Sequence, residues 1–230
     1  MVNEFDSGKM LLVDKPFQWT SFDVVRRIRH LTRAKKVGHA GTLDPLATGL
    51  LIICTGTMTK KIQEYMAREK EYTGTITLGA TTLTYDLESE PQNLQPVDHI
   101  SPSAIRDTAS RFTGEILQAP PAHSAIKQGG KRVYELARMG REVVMEPRRV
   151  VIREFEITSI DLPAVAFRVV CSTGTYIRSL ANDVGAALGC GGYLGSLCRT
   201  RIGEYLLQDA MTMDQFEKLV SSPQGGKGRN

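Results

Sequence analysis

Residues 38–54 read Gly38-His-Ala-Gly-Thr-Leu-Asp-Pro-Leu-Ala-Thr-Gly49 and then Leu-Leu-Ile-Ile-Cys54, a glycine-rich loop that runs into an apolar segment. The glycines and the Asp-Pro step predict an irregular loop, and the apolar run after it predicts a buried strand. Because Pro45 biases the preceding residue toward extended backbone, we expect a constrained loop to hold the Asp44 carboxylate. On spacing alone, an Asx-type turn residue that bonds only its own backbone is favoured over a functional carboxylate.

Strand and helix patterns surround this segment in mixed order. Apolar runs and alternation predict strands at residues 10–13, 50–54, 71–79, 150–160 and 164–171. Helical spacing and capping residues predict a helix that starts at Thr20-Ser21 and further helices at residues 57–68, 102–113, 177–188 and 213–220. Because the strands are not each followed by a crossover helix, we expect an α+β fold with a mixed, largely antiparallel central sheet and helices packed against it.

Composition and chain organisation indicate an ordinary globular protein. The 230 residues are 41% hydrophobic and 23% charged, which supplies a sizeable core and excludes disorder throughout the chain. We find no internal repeat or strong linker in residues 1–220 and expect one domain there, followed by a disordered tail at 221–230. Residues 119–147 contain prolines, a glycine pair and a short helix candidate at 133–139, so we expect an arm inserted into this domain.

Charge and cysteine usage limit the partners and the compartment. The net charge is +4, and basic residues concentrate at 26–36 and 127–153. Such runs are usually solvated faces, although an anionic partner would also suit them. No apolar run reaches the roughly 18 residues of a membrane span, and no signal peptide begins the chain, so we expect a cytoplasmic protein. The four cysteines lack metal-ligand spacing, and we expect no metal.

Two further polar segments stand out beside the Asp44 loop. In residues 171–178, where a strand meets a helix start, Arg178 could reach inward toward a carboxylate or could be a surface arginine. A cation at a helix N-terminus is slightly unfavourable, so this arginine needs a partner. In residues 120–127, Lys127 could belong to a polar site or could be only a solvent-facing loop residue. These residues alone do not define a reaction.

Taken together, the segments resemble the TruB family of tRNA pseudouridine synthases, in the right order and over residues 10–205. The matching positions carry the short motifs of that family, which are Leu12-Val-Asp-Lys-Pro16, Thr20-Ser21, Gly38 to Leu50, Lys70-Glu-Tyr72, Pro120-Pro121, Ser124-Ala125, Lys127, Gly130, Tyr134-Glu135, Ala137-Arg138, Gly174-Thr-Tyr-Ile-Arg178, Asp183, Gly185, Leu188-Gly189, Leu194, Leu197 and Arg199. One departure is Gln18, which stands where the family usually has a glycine. The resemblance implies a pseudouridine synthase-like catalytic domain, with residues 119–147 as an RNA-binding arm, and we expect no C-terminal PUA module.

The resemblance also implies roles for single residues. Asp44 would be the nucleophile that allows the ribose C1′–N1 bond to break. Arg178 would pair with that carboxylate and keep it charged. Tyr72 would stack on the uracil and act in proton removal from C5, and Leu197 would form an apolar wall. His39 would fill the space that the flipped nucleotide leaves, although a loop histidine bonded to the backbone remains an alternative.

The expected substrate is the uridine at position 55 in the T loop of tRNA, flipped out of its stack. Lys15, Tyr176 and Lys127 are further candidates for substrate contact. We expect a monomer that binds the T arm, and no cofactor is implied because the reaction is an isomerisation. One alternative is a tRNA-binding chaperone without turnover, which would not need the set Asp44, Tyr72 and Arg178. A hydrolase with Asp44 in an acid pair or metal-ligand set lacks a second ligand at suitable spacing.

Overall fold

The computed structural model describes residues 3–122, 127–128, 131–132 and 145–221. Most of the expected arm, its short helix at 133–139 and the tail from 222 lie outside the described residues. The described strands, in chain order, are β1 (Met10–Lys15), β2 (Val37–His39), β3 (Ala47–Thr55), β4 (Lys70–Leu78), β5 (Gly114–Gln118), β6 (Lys127–Gln128), β7 (Lys131–Arg132), β8 (Arg148–Asp161), β9 (Ala164–Cys171), β10 (Gly192–Ile202), β11 (Tyr205–Leu206) and β12 (Met211–Thr212).

The described α-helices are α1 (Glu4–Ser7), α2 (Ser21–Thr32), α3 (Ile62–Met66), α4 (Pro102–Arg111), α5 (Ile177–Ala187) and α6 (Met213–Ser221), and 3-10 helices occur at Gly56–Lys61 and Leu207–Asp209. The chain forms two compact units. The first unit is Met1–Lys70 with Cys198–Asn230, and the second unit is Glu71–Leu197. Strand β10 begins in the second unit and ends in the first.

In the first unit the strand order is β12-β1-β3-β10, with β2 paired to β3 and β11 paired to β10. Strands β1 and β3 are antiparallel, and β12 is parallel to β1. Alternate residues of β3 pack into two different hydrophobic cores. Leu51 and Ile53 belong to the core that contains residues of α2 and α6, and Leu50 and Ile52 belong to the core that contains Tyr65. Because both faces are covered, β3 reads as a continuous apolar run, as predicted.

Helix α2 begins where its capping residues predicted. The Thr20 hydroxyl accepts a hydrogen bond from the Asp23 N–H, and the Asp23 carboxylate accepts one from the Thr20 N–H, which forms a capping box. The buried side of the helix carries Val24, Val25 and Ile28, which pack on the same core as Leu51 and Ile53 of β3. This arrangement fixes the start of α2 close to the end of β1.

In the second unit the strand order is β10-β4-β9-β8-β5, and β8 pairs antiparallel with both β5 and β9. The predicted alternation in β4 is confirmed, because Tyr72, Ile76 and Leu78 are buried. Helix α4 packs against β8, and α5 carries a buried face that includes Ile177, Leu180 and Val184. The predicted mixed, largely antiparallel sheet with packed helices is confirmed.

Several elements differ from the sequence predictions, and they include a predicted helix, a predicted helix end and a long strand. The segment predicted as a helix at 57–68 is a 3-10 helix followed by the short α3. Gly114 does not close α4, which ends at Arg111, but begins β5. Strand β10 was not predicted, because its glycines and arginines hide the apolar pattern. The glycines serve close packing: a Cβ on Gly192 would lie 3.0 Å from the Ala181 carbonyl oxygen of α5.

Candidate active site

Asp44 lies in the loop that connects β2 to β3. The pairing of His39 with Ile53 closes the base of this loop, and the Ala47 N–H donates to the Asp44 carbonyl oxygen over 3.1 Å within it. Ser21 of α2 holds the residue before Asp44, since its hydroxyl accepts from the Leu43 N–H (2.9 Å) and donates to the Leu43 carbonyl (3.1 Å). The partly exposed Asp44 is therefore carried on a backbone that is fixed on both sides.

Lys15, the last residue of β1, is fully buried in the first unit. Its ammonium group donates to the carbonyl oxygens of Pro16 (2.9 Å), Trp19 (2.6 Å) and Pro45 (3.4 Å). Burial lowers the pKa of Lys15 to about 8, the Asp44 carboxylate opposes this shift, and the Arg199 guanidinium adds to it. Lys15 thus anchors the residue that follows Asp44 and supplies positive charge near the carboxylate.

Arg199 is a second buried cation of the first unit, with 1% of its surface exposed. Its Nε donates to the Leu50 carbonyl over 2.7 Å and its Nη2 donates to the Gly41 carbonyl over 3.1 Å. These contacts tie the start of the Asp44 loop to the strand β3 that follows it. At Gly49, with φ of +102°, a Cβ would lie 2.4 Å from the Arg199 carbonyl oxygen, so only glycine permits this approach.

His39 stands at the start of the same loop and is partly buried. Burial and the nearby Arg199 charge lower the pKa of His39, and a hydrogen bond with the Gly41 main chain acts in the opposite direction. Its Nδ1 is buried without a hydrogen-bond partner among the described residues. Asp44 and His39 are therefore carried by one loop of the first unit, and the buried cations Lys15 and Arg199 contact the main chain of that loop.

Arg178 lies in the first turn of α5 in the second unit and is 5% exposed. Its Nη1 donates to the Thr84 carbonyl over 3.1 Å, and its Nε is 3.6 Å from Oδ2 of Asp86, which is also buried. The other carboxylate oxygen, Oδ1, accepts from the Glu88 N–H over 3.0 Å. The expectation that Arg178 needs a partner is thus met within its own unit by Asp86, a residue that sequence reasoning missed.

The loop that carries Asp86 is held to its surroundings by main-chain contacts. The Leu194 N–H of β10 donates to the Tyr85 carbonyl over 2.9 Å, and Tyr85 adopts a φ of +63°. The Thr84 hydroxyl also lies 2.8 Å from the Ser89 hydroxyl. A threonine-rich segment with a lone aspartate was the only sequence signal for this buried anion.

The remaining expected site residues of the second unit occupy distinct elements. Tyr72 is a buried residue of β4, and Leu197 is a partly exposed residue of β10. Tyr176 occupies the residue before α5, where its N–H donates to Gln118 Oε1 (2.8 Å) and its carbonyl accepts from Gln118 Nε2 (3.1 Å). Lys127 pairs through its backbone with Arg132 in the small β6-β7 sheet. The structure therefore brings Tyr176 and Arg178 together at one helix start.

The described part of the chain contains no group of three or more His, Cys, Asp or Glu residues that could hold a metal ion. None of its helices combines the length and the apolar character that crossing a membrane requires.

Two family models match consecutive parts of the chain. The TruB family pseudouridylate synthase N-terminal domain matches residues 29–177, and the tRNA pseudouridylate synthase B C-terminal domain matches residues 178–225. Over 222 residues the chain is 51% identical to the tRNA pseudouridine synthase B of Flavobacterium johnsoniae, a match that covers 94% of this chain and 97% of that protein.

Solved structures give the same result for the fold. A chain in the crystal structure of a Cbf5-Nop10-Gar1 complex matches with a TM-score of 0.72 and 28% identity, over 93% of this chain and 54% of that one. A chain in a structure of an H/ACA RNP bound to a substrate RNA containing 2'-deoxyuridine matches with a TM-score of 0.69 and 26% identity, over 91% and 52%. The protein spans about half the length of these solved chains. Family models that cover most of its residues, and a close relative of equal length, show that the chain belongs to the TruB family and is an enzyme that isomerises uridine in tRNA to pseudouridine.

Proposed function

We propose that this enzyme modifies the uridine at position 55 in the T loop of tRNA, after that uridine is flipped out of its stack, with Asp44 as the nucleophile. The observation that carries the proposal is the setting of Asp44. Its carboxylate is partly exposed on a loop whose backbone is fixed by Ser21, Lys15 and Arg199. A nucleophile must be positioned against a defined atom of the substrate. A loop that is rigid before the substrate binds lowers the entropic cost of this positioning.

The other roles are proposed residue by residue. Arg178 acts as the charge partner of the Asp44 carboxylate during the reaction, a role supported by a buried guanidinium that Asp86 and Thr84 already orient. Tyr72 stacks on the uracil and takes part in proton removal from C5. Leu197 forms an apolar wall of the pocket.

His39 occupies the space that the flipped nucleotide leaves in the RNA. A neutral ring suits stacking between bases, and the lowered pKa of His39 supports that form at neutral pH. Tyr176 and Lys127 are proposed to contact the RNA. For Lys15, whose ammonium bonds three main-chain carbonyls, we propose a contribution to substrate binding through the loop that it anchors.

Residues 119–147 are proposed to act as the arm that holds the T arm of tRNA, within a catalytic domain spanning residues 1–220 that works as a monomer. A chaperone that binds tRNA without turnover is not retained, because the chain belongs to a family of catalysts.

The test is a site-mapping assay with the purified protein and an unmodified tRNA transcript. Pseudouridines are located by carbodiimide labelling and primer extension, and we expect one product at position 55. A transcript with cytidine at that position is the matched control and should gain no pseudouridine. Modification at another position, or equal modification of both transcripts, would contradict the assigned site.

A further inference from the structure

Two exposed phenylalanines lie around the start of α2: Phe17 is in the segment that connects β1 to α2, and Phe22 is in the first turn of α2. Their exposed fractions are 54% and 61%, which is unusual for phenylalanine. The turn between them contains Trp19, which is partly buried against the α2 core. Three aromatic residues thus occur within six positions, and two of them face solvent.

This segment is bonded directly to the loop that carries Asp44. The Gln18 N–H donates to the Pro45 carbonyl over 2.9 Å, and Ser21 exchanges two hydrogen bonds with Leu43. Lys15 adds a bridge, because its ammonium donates to the carbonyls of Trp19 and Pro45. The aromatic segment and the Asp44 loop therefore form one fixed surface within the first unit.

A groove of about 620 Å³ opens beside the same segment, and its lining residues are Gln18, Trp19, Asp23, Arg26, Arg27 and His30. An indole, two guanidinium groups and an imidazole are the groups with which proteins stack on unpaired bases. Arg26 pairs with Asp23 over 2.8 Å, but the Arg26 side chain is largely exposed, so this pair costs little to rearrange toward a phosphate.

We propose that Phe17, Phe22 and the Trp19 groove form a second RNA-contact site, which stacks unpaired bases of the substrate tRNA next to the uridine being modified. The inference rests on the proposed function, since it needs RNA to approach Asp44. The rings are exposed on a segment that is hydrogen-bonded to the Asp44 loop, so they are available to an RNA that approaches Asp44. Aromatic stacking tolerates any base, so the site contributes affinity and not sequence choice.

The first test measures the affinity of the Asp44→Asn protein for a T-arm stem-loop RNA by filter binding. Replacing both Phe17 and Phe22 by leucine keeps apolar area and removes the rings. We expect the affinity to fall at least about 5-fold, since stacking contributes about 1–3 kcal/mol per base. Replacing both by tyrosine keeps the rings and should leave the affinity within about 2-fold, whereas leucine variants that bind like the parent would overturn the proposal.

Leu219 of α6 supplies the matched control, because it is as exposed as Phe22 but carries no ring. Leu219→Ala should leave the affinity unchanged. In the background with Asp44 intact, the double leucine variant should raise KM for tRNA at least about 5-fold with kcat retained. A fall in kcat with unchanged KM would overturn the stacking role.

Trp19 is the only tryptophan of the chain, so its fluorescence reports on the groove alone. Addition of the stem-loop should quench this emission in the parent and in the tyrosine variant, and much less in the leucine variant. Trp19 emission that does not respond to saturating RNA would overturn the proposal. Emission that changes with protein concentration in the absence of RNA would also overturn it, because the surface would then be assigned to self-association.

The two proposals fail separately. Turnover by the Asp44→Asn protein would remove the nucleophile role and leave the binding measurements valid. Equal binding by the leucine and tyrosine variants would remove the stacking site and leave the assignment of position 55 in place.

Discussion

Asp44 and Arg178 are held in opposite ways. Asp44 is a partly exposed anion on a loop of the first unit, and the cations Lys15 and Arg199 fix that loop by bonding its main-chain carbonyls. Arg178 is a buried cation at a helix start of the second unit, and the side chain of Asp86 lies against it as counter-charge. Within its own unit, each of these two side chains lies near a group of opposite charge, Lys15 for Asp44 and Asp86 for Arg178. The difference teaches that Asp44, the proposed nucleophile, is positioned through its backbone, whereas Arg178 is positioned through its side chain.

The largest effect is expected at Asp44. In Asp44→Asn the fixed backbone is retained and the nucleophile is lost, so we expect turnover to fall by at least about 1,000-fold while RNA affinity stays within a few fold. Single-turnover pseudouridine formation and filter binding measure the two quantities. Asp214→Asn, at an exposed position of α6, is the control and should be as active as the parent. Substantial turnover by Asp44→Asn would break the comparison, because the loop would then hold a structural residue.

The next effect is expected at the buried pair of the second unit. A lysine at position 178 keeps the charge but lacks the planar guanidinium that reaches both Thr84 and Asp86. We expect Arg178→Lys and Asp86→Asn each to lower kcat/KM by about 100-fold or more, because the charge partner proposed for Asp44 is then misplaced and a misplacement of about 1 Å can cost about 100-fold in rate. Arg149→Lys, at a site with 75% side-chain exposure, should stay within about 2-fold. Near-normal rates for Arg178→Lys would mean that the pair serves only the fold.

Two substitutions of Tyr72 distinguish its proposed stacking role from its proposed role in proton transfer. Tyr72→Phe should bind RNA normally and stall late in the reaction, because the ring is kept and the hydroxyl is removed. Tyr72→Ala should also bind RNA more weakly, by the roughly 1–3 kcal/mol that base stacking typically contributes. Rapid-quench kinetics and binding measurements on both variants test this assignment. If the two variants show the same kinetics, the hydroxyl has no part in proton transfer.

Lys15 provides a pH test of how the Asp44 loop is held. The pKa of Lys15 is about 8 in the folded protein and about 10.5 in the unfolded chain. Between these values the unfolded chain binds more protons, so the Lys15 contribution to the free energy of unfolding rises with pH, by at most about 1.4 kcal/mol per pH unit. Below about pH 8 the cost of burying the charged amine is fully present.

Urea unfolding of the parent and of Lys15→Met at about pH 7.5 and about pH 9.5, on either side of the folded-state pKa, isolates this contribution. The difference in unfolding free energy between the two proteins should grow in favour of the parent at the higher pH. A difference that stays constant would show that the buried amine is not held with a lowered pKa.

The smallest effect is expected for the basic residues at 26–36, which differ in whether they form an ion pair within the protein. Arg27 is committed to Glu217 through two hydrogen bonds of 2.6 and 2.7 Å, whereas Lys35 and Lys36 are exposed. We expect Lys35→Gln with Lys36→Gln to flatten the salt dependence of tRNA binding, by about 0.7–0.9 in log-log slope for each phosphate that the variant no longer neutralises. Arg27→Gln should change the slope less. An unchanged slope in the double variant would identify the run as a solvated face.

The two regions also differ in how far they could be predicted. The Asp44 loop was recognisable because its glycines, its proline and the apolar run after it are adjacent in sequence. The capping residues of α2 and the alternation of β4 were readable for the same reason. The buried anion Asp86 and the strand β10 were not, because neither has a local pattern that separates it from a polar turn or a glycine-rich loop.

By itself the sequence determined the α+β class, the Asp44 loop, the strands β1, β3, β4, β8 and β9, and the resemblance to a family of tRNA-modifying enzymes, since each depends on neighbouring residues and their periodicity. Only the tertiary structure decided what holds the reactive groups in place. Arg199 bonds a carbonyl 149 positions away at Leu50, and Arg178 bonds one 94 positions away at Thr84. Such contacts depend on which strands lie side by side and on the burial that makes an uncompensated charge costly, and neither property is encoded in a local stretch of chain.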